Sequence, residues 1–239
     1  QLSVFLYQTR QAAFFRSYTL KKLTFYSEAA YGVGILLLAC GTALMAYGDF
    51  GISMVAAPGY ILSLKLAAIH PFFSFGTVGY LVEALVLTVM MLLIRKARFT
   101  YLLSFVSAVL YGLCLDGVSL LTALLPQVIL LQIPLYIAGM LLCSAAISLL
   151  LIGYFPPAAH EMFVKEFCGH FRLPIARVKT IYDCSFLGIS ILLSLLLFGT
   201  IRGIGIGTVV CAFVNGLCIR LFTGLWKKVF QFRDRLSLR

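Results

Sequence analysis

Glu83 is the sole charged residue between Phe73 and Ile94. Insertion of an Asp, Lys or Arg near the centre of a spanning helix costs about 2.5–3.5 kcal/mol. An acid kept there needs a cavity or a partner. At ~1.5 Å per residue, Glu83 falls near the middle of its run. Two roles fit it: a carboxylate that couples transport to a proton or cation, or holds a cationic substrate; and a protonated, hydrogen-bonded structural acid. Lys179 and Asp183 stand four residues apart, one helical turn on one face. They read as an interfacial salt bridge, or as a gate or substrate clamp that breaks as the protein moves. Asp116 lies deep in another apolar run, and Lys65 and Arg202 are the basic residues placed to pair with it as a gate. His70, His160 and His170 are not at metal-ligand spacing from one another, and their expected place is the membrane flank. No nucleophile–base pair is visible, so neither catalysis nor a cofactor or metal is expected.

The elements that must position these groups are spanning helices. Of the 239 residues, 62% are hydrophobic and 11% charged, against about 25% charged in soluble domains. The mean hydropathy is +1.04. A span needs about 20 mostly apolar residues, and six segments qualify: Ala29–Gly48, Phe73–Ile94, Tyr101–Leu125, Ile129–Phe155, Thr180–Phe198 and Ile204–Leu225. The seven cysteines include no CxxC pair, and most lie within the apolar runs as small packing residues.

Charge orders the spans. Of 19 basic residues, all but Lys65 and Arg202 fall in the N-terminal segment, the second-to-third loop, the fourth-to-fifth segment, or the end of the sixth helix and the tail beyond it. This asymmetry predicts both ends in the cytoplasm, with the basic segments facing an anionic inner leaflet. The net charge of +11 is thereby accounted for without nucleic acid. Residues 1–27 read as a basic amphipathic segment on that leaflet, and 227–239 as a basic cytoplasmic tail.

Two three-helix halves, 28–126 and 127–226, share weak sequence likeness. Gly41-Thr-Ala-Leu-Met-Ala46 resembles Cys143-Ser-Ala-Ala-Ile-Ser148, and Tyr111-Gly-Leu-Cys-Leu-Asp116 resembles Asn215-Gly-Leu-Cys-Ile-Arg220. After its first helix each half carries a Pro-bounded segment, Pro58–Pro71 and Pro156–Pro174, long enough for a short helix. These segments read as interfacial or as re-entrant gating helices. An odd number of spans per half inverts one half relative to the other, as in many secondary transporters. Gly34, Gly41 and Gly48 recur every seven residues as a packing stripe. Gly203, Gly205 and Gly207 open the last span without the βαβ setting of a dinucleotide site. They read as close packing or as exposed amides for an anion.

Phe75-Gly-Thr77, Arg95-Lys-Ala-Arg98, Gly112 to Asp116, Val178-Lys-Thr-Ile-Tyr-Asp183 and Gly203-Ile-Gly-Ile-Gly-Thr208 occur in an order that resembles the YczE/YyaS/YitT-type family of small bacterial membrane proteins. The resemblance covers roughly residues 32 to 225. It implies a six-span bacterial membrane fold and no defined activity. It matches Lys179 and Asp183 to a family pattern of a base followed four residues later by an acid, and it implies no acid at Glu83.

The expectation is an all-α protein of the bacterial cell membrane: six transmembrane helices in two inverted repeats, acting as a secondary transporter of a small polar solute. Two alternatives stand beside it: a substrate-binding subunit of an ATP-driven uptake system, and a non-catalytic scaffold. Substrate and oligomeric state are not encoded in any motif.

Overall fold

The computed structural model describes residues 23–96, 98–152 and 158–233. These hold eight helices and two short strands. Six helices are long and apolar enough to cross a membrane: α1 (Ser27–Gly48), α3 (Phe75–Ile94), α4 (Phe99–Thr122), α5 (Ile129–Ile152), α7 (Ile175–Phe198) and α8 (Ile206–Val229). The protein is a multi-pass helical membrane protein. The short helices α2 (Ala57–Leu66) and α6 (Ala159–Phe171) follow α1 and α5. Pro58 sits in the first turn of α2, where its missing N–H costs nothing.

α1 and α5 form the centre. Contacts along them run in opposite directions: Gly34 faces Leu150, Gly41 faces Gly139 and Cys143, and Gly48 faces Tyr136. The two helices are therefore antiparallel. A Cβ added at Gly41 would lie 2.7 Å from the Gly139 carbonyl, and one at Gly139 would lie 2.7 Å from the Gly41 carbonyl. Backbones this close gain van der Waals contact that lipid cannot offer.

The other helices dress this centre in matching ways. α4 packs beside α1, and α8 beside α5. α2 and α6 each pack against both α3 and α7. One pairing has no equal counterpart: α3 packs along α4, whereas α7 and α8 form no comparable packing among the described residues. The α7 and α8 flanks carry exposed lipid-type side chains, among them Leu196, Phe213 and Leu221.

Both ends of the described chain meet on one face. The strand β1 (Leu23–Tyr26) pairs in parallel with β2 (Phe230–Arg233), and the Phe25 and Phe230 rings lie 5.1 Å apart. This differs from the sequence reading. Residues 23–26 are strand rather than part of an amphipathic segment, and the last helix runs to Val229, four residues past its expected end. Residues 1–22 and 234–239 of the expected basic segments lie outside the described residues. On the opposite face the glycine-rich entry to α8 closes on the loop after α1. Gly207 N–H donates to the Phe50 carbonyl at 2.9 Å, and Ile52 N–H to the Gly203 carbonyl at 3.2 Å.

Gly41→Ala is expected to destabilise the protein by about 1–3 kcal/mol through overpacking, because its Cβ would fall 2.6 Å from Cys143 Sγ. Gly32→Ala meets nothing within 4 Å and is the matched control. Thermal unfolding of both variants in one detergent checks this: a lower Tm for the first and an unchanged Tm for the second.

Candidate functional site

A cavity of about 110 Å³ lies at the middle of the bundle. Both halves wall it: Thr42, Glu83 and Tyr111 come from the first, and Cys143, His160 and Asn215 from the second. The N-terminal ends of α2 and α6 reach it through Ala56 and Ala158, while their distal residues Lys65 and His170 are exposed.

Glu83 is the ninth residue of the 20-residue helix α3, and it is 92% buried, with 8% relative exposure. The backbone N–H of Ala159, in the first turn of α6, donates to its carboxylate. The start of a helix carries partial positive charge and unpaired N–H groups, so it suits an acid. The second oxygen, Oε2, is buried and has no hydrogen-bond partner among the described residues. An unsatisfied buried polar atom costs about 1–3 kcal/mol, and such atoms usually mark a function or an absent ligand.

Two polar side-chain pairs cross between helices, each with a hydroxyl donor. Tyr111 Oη donates to Thr42 Oγ1 at 3.0 Å, linking α4 to α1. Ser144 Oγ donates to Asn215 Oδ1 at 2.7 Å, linking α5 to α8. Thr42 in turn donates to its own helix at the Leu38 carbonyl, 2.9 Å away. These four residues are the second and first positions of the two segment pairs that resemble each other in sequence.

On the strand face, Lys179 joins α7 to α6. Its Nζ is 3.0 Å from Asp183 Oδ1 and 3.8 Å from Glu161 Oε1. Beside it His160 Nδ1 lies 2.7 Å from Tyr182 Oη, with the His160 ring edge-on to Phe186. Burial, reinforced by the charge of Lys179, lowers the His160 pKa from 6.5 to about 3, so the imidazole stays neutral. Glu166 ties α6 to the start of α4, through Arg98 at 3.3 Å and Tyr101 Oη at 3.1 Å.

Asp116 is spoken for. Ser74 Oγ donates to its Oδ2 at 2.5 Å and Gly76 N–H to its Oδ1 at 2.7 Å, so it completes the N-terminal cap of α3. Lys65 and Arg202 instead meet over one ring, at 5.7 Å and 5.0 Å from the centroid of Phe198. The expected pairing of Asp116 with Lys65 or Arg202 is thus not formed among the described residues. The amides of Gly205 and Gly207 are taken by Thr208 Oγ1 and the Phe50 carbonyl, and a Cβ at Gly203 would strike the Tyr60 ring at 2.8 Å. Among the described residues no His, Cys, Asp and Glu group could hold a metal ion.

Residues 25–224, which contain the whole cavity wall, match a family profile described as a family of unknown function, DUF6198. The chain belongs to that family. No curated protein and no solved structure matches it. For this DUF6198 member the site must therefore be read from its own geometry.

His160 is the residue that sequence reasoning placed wrongly. It was expected at the membrane flank, and it is buried in the cavity wall at 7% exposure. The available signal was the stripe His160, Val164 and Cys168, spaced by four, which is the buried side of α6. The phenylalanines 163, 167 and 171 lie on a neighbouring side that is only partly covered.

A neutral buried histidine makes stability depend on pH. The unfolded chain binds a proton at His160 as pH falls below about 6.5, whereas the folded chain does so only near 3. Protons bound by the unfolded state alone lower folding stability as pH falls through that window. His160→Phe, which keeps the ring contacts, is expected to flatten the decline in Tm between pH 7 and pH 4 relative to wild type. A parallel decline in both proteins would count against this.

Proposed function

We propose that the chain is a transporter that carries a small solute through the central cavity, using two inverted three-helix halves. The observation that carries the proposal is Glu83. A carboxylate held at mid-span by a helix N-terminus, with one oxygen free at a cavity walled by both halves, is arranged to bind and release. Charge in such a place is costly and marks ion or substrate paths in membrane proteins.

The proposed inversion draws support from three features. α1 and α5 run antiparallel, the order of packing around them repeats, and the bonds Thr42–Tyr111 and Ser144–Asn215 join corresponding sequence positions. α2 and α6 then serve as paired re-entrant elements whose inner ends touch the solute. Lys179, bridging Glu161 and Asp183, is a latch between α6 and α7 on the strand face. The seal on the other face is the contact of the α1–α2 loop with Gly203–Gly207. Rocking of the halves would open these closures in turn.

The strand face is proposed to be cytoplasmic. Of the 13 basic residues among those described, all but Lys65 and Arg202 belong to segments on that side, and that bias orients bacterial inner-membrane proteins. Residence in a bacterial cell membrane, and kinship with the YczE/YyaS/YitT-type family, are parts of the same proposal.

Two experiments test it. Proteoliposomes with an entrapped pH dye, challenged with panels of amines, amino acids, sugars and organic acids, are expected to show a solute-dependent proton signal that Glu83→Gln abolishes while purification yield holds. An unchanged signal in that variant would remove Glu83 from coupling. Separately, in a cysteine-free background, cysteines introduced at Thr24 and Gln231 are expected to react with an impermeant maleimide in inverted vesicles and not in intact cells. Labelling of either in intact cells would overturn the orientation.

A further inference from the structure

We infer that the solute is a compact aliphatic ammonium ion, a cation bearing N–H donors on a small apolar body. This rests on the transport reading above and gives its site a chemical class.

Three observations converge. The first is charge. The described cavity wall contains the carboxylates of Glu83 and Glu161 and no Lys or Arg, and the imidazole of His160 is neutral. Lys179 draws part of the Glu161 charge outward, 3.8 Å from its Oε1, whereas no described cation pairs with Glu83. A buried acid with no cationic partner is stabilised in its ionised form by a bound cation, whereas a bound anion would only add repulsion.

The second is the direction of the hydrogen bonds. Tyr111 spends its proton on Thr42, Thr42 spends its own on the Leu38 carbonyl, and Asn215 Oδ1 already receives Ser144. The other donors on the wall, on Asn215, Ser53 and His160, make no hydrogen bond to Glu83 Oε2, so that oxygen is unsatisfied, and Tyr111 Oη keeps a lone pair. An occupant with N–H donors can meet them, and an ammonium group brings only donors.

The third is size and lining. Apart from these polar atoms the wall is apolar, with Met45, Ile52, Phe75 and Leu115 facing the space. An engineered apolar cavity of about 150 Å³ binds benzene. The present volume of about 110 Å³ suits a body of four or five carbons more than a ring system.

The probe is isobutylammonium, compared with isobutanol and isobutyrate, which match it in size and differ in charge. Binding to the purified full chain is read by calorimetry. Isobutylammonium is expected to bind at least tenfold more tightly than either of the others. Glu83→Gln should weaken it at least tenfold, Glu83→Asp should keep the preference for the cation, and Tyr111→Phe should weaken it several-fold by removing an acceptor. Gel filtration and Tm establish that each variant is folded. Should Glu83→Gln fail to fold, the preference of Glu83→Asp and the loss in Tyr111→Phe decide the matter. Equal binding of isobutanol or isobutyrate, no binding of the cation, or full retention in folded Glu83→Gln would overturn the inference and leave transport of another solute standing. Selective binding without accumulation of radiolabelled isobutylammonium in sealed proteoliposomes would support the site and defeat the transport reading instead.

Discussion

Where Gly41 meets Gly139, two helices approach until only backbone separates them. In lipid there is no hydrophobic gain from hiding leucine behind leucine, so association depends on close contact and on hydrogen bonds between helices. The α1–α5 seam supplies the first. It also supplies the second, because Thr42 and Ser144 sit one position along from Gly41 and Cys143 and carry the bonds to Tyr111 and Asn215. A side chain at the seam would push the halves apart, shift both hydroxyl pairs and open the cavity wall. The position of Glu83 depends on this same frame, since α3 packs along α4, which packs on α1, as well as on α2 and α6.

The acid itself is positioned by a different device. A short helix that starts inside the bundle brings unpaired N–H groups to mid-depth, where a spanning helix has none to offer. α6 does this for Glu83 through Ala159, and the price is a bundle that must accommodate helix ends away from water. Pro58 in the first turn of α2 shows one way such an end is accommodated without solvent, since it has no N–H to leave unpaired. The same helix that offers Ala159 to the acid also carries Glu161 to Lys179 and Glu166 to Arg98. A displacement of α6 would therefore alter the environment of the carboxylate and the closure on the strand face together.

The spans were legible because lipid imposes one dominant rule, length of apolar sequence. Phe75–Ile94 differs from the segment read in sequence by two residues at one end, and the fourth span begins at Ile129 as read, its far end lying outside the described residues. Which side of each span is covered was far less legible. In water a helix advertises its buried side by alternation with polar residues, but here Leu196 and Phe213 are exposed while Met90 and Leu115 are buried, and all four are equally apolar. Glycine spacing was the exception, since a missing side chain marks a close approach whatever the solvent. Asp116 shows the converse limit. Its depth was readable, and its partners were not, because Ser74 and the Gly76 amide are uncharged and a search among charges passes them by. The two strands lay in segments read by composition alone, and four-residue pairings between opposite ends of a chain leave no local pattern.

That pairing has a mechanical meaning. β1 leads directly into α1, one member of the central seam, and β2 leads directly out of α8, one of the least covered spans. The strands therefore act as a hasp, fastening a sparsely covered helix to the start of the central seam at one end while its other end is held by the glycine-rich loop. A helix pinned at both ends can swivel about its length but cannot drift away into the bilayer. α7 carries no strand of its own and is held instead by α2 and α6, which pack on it.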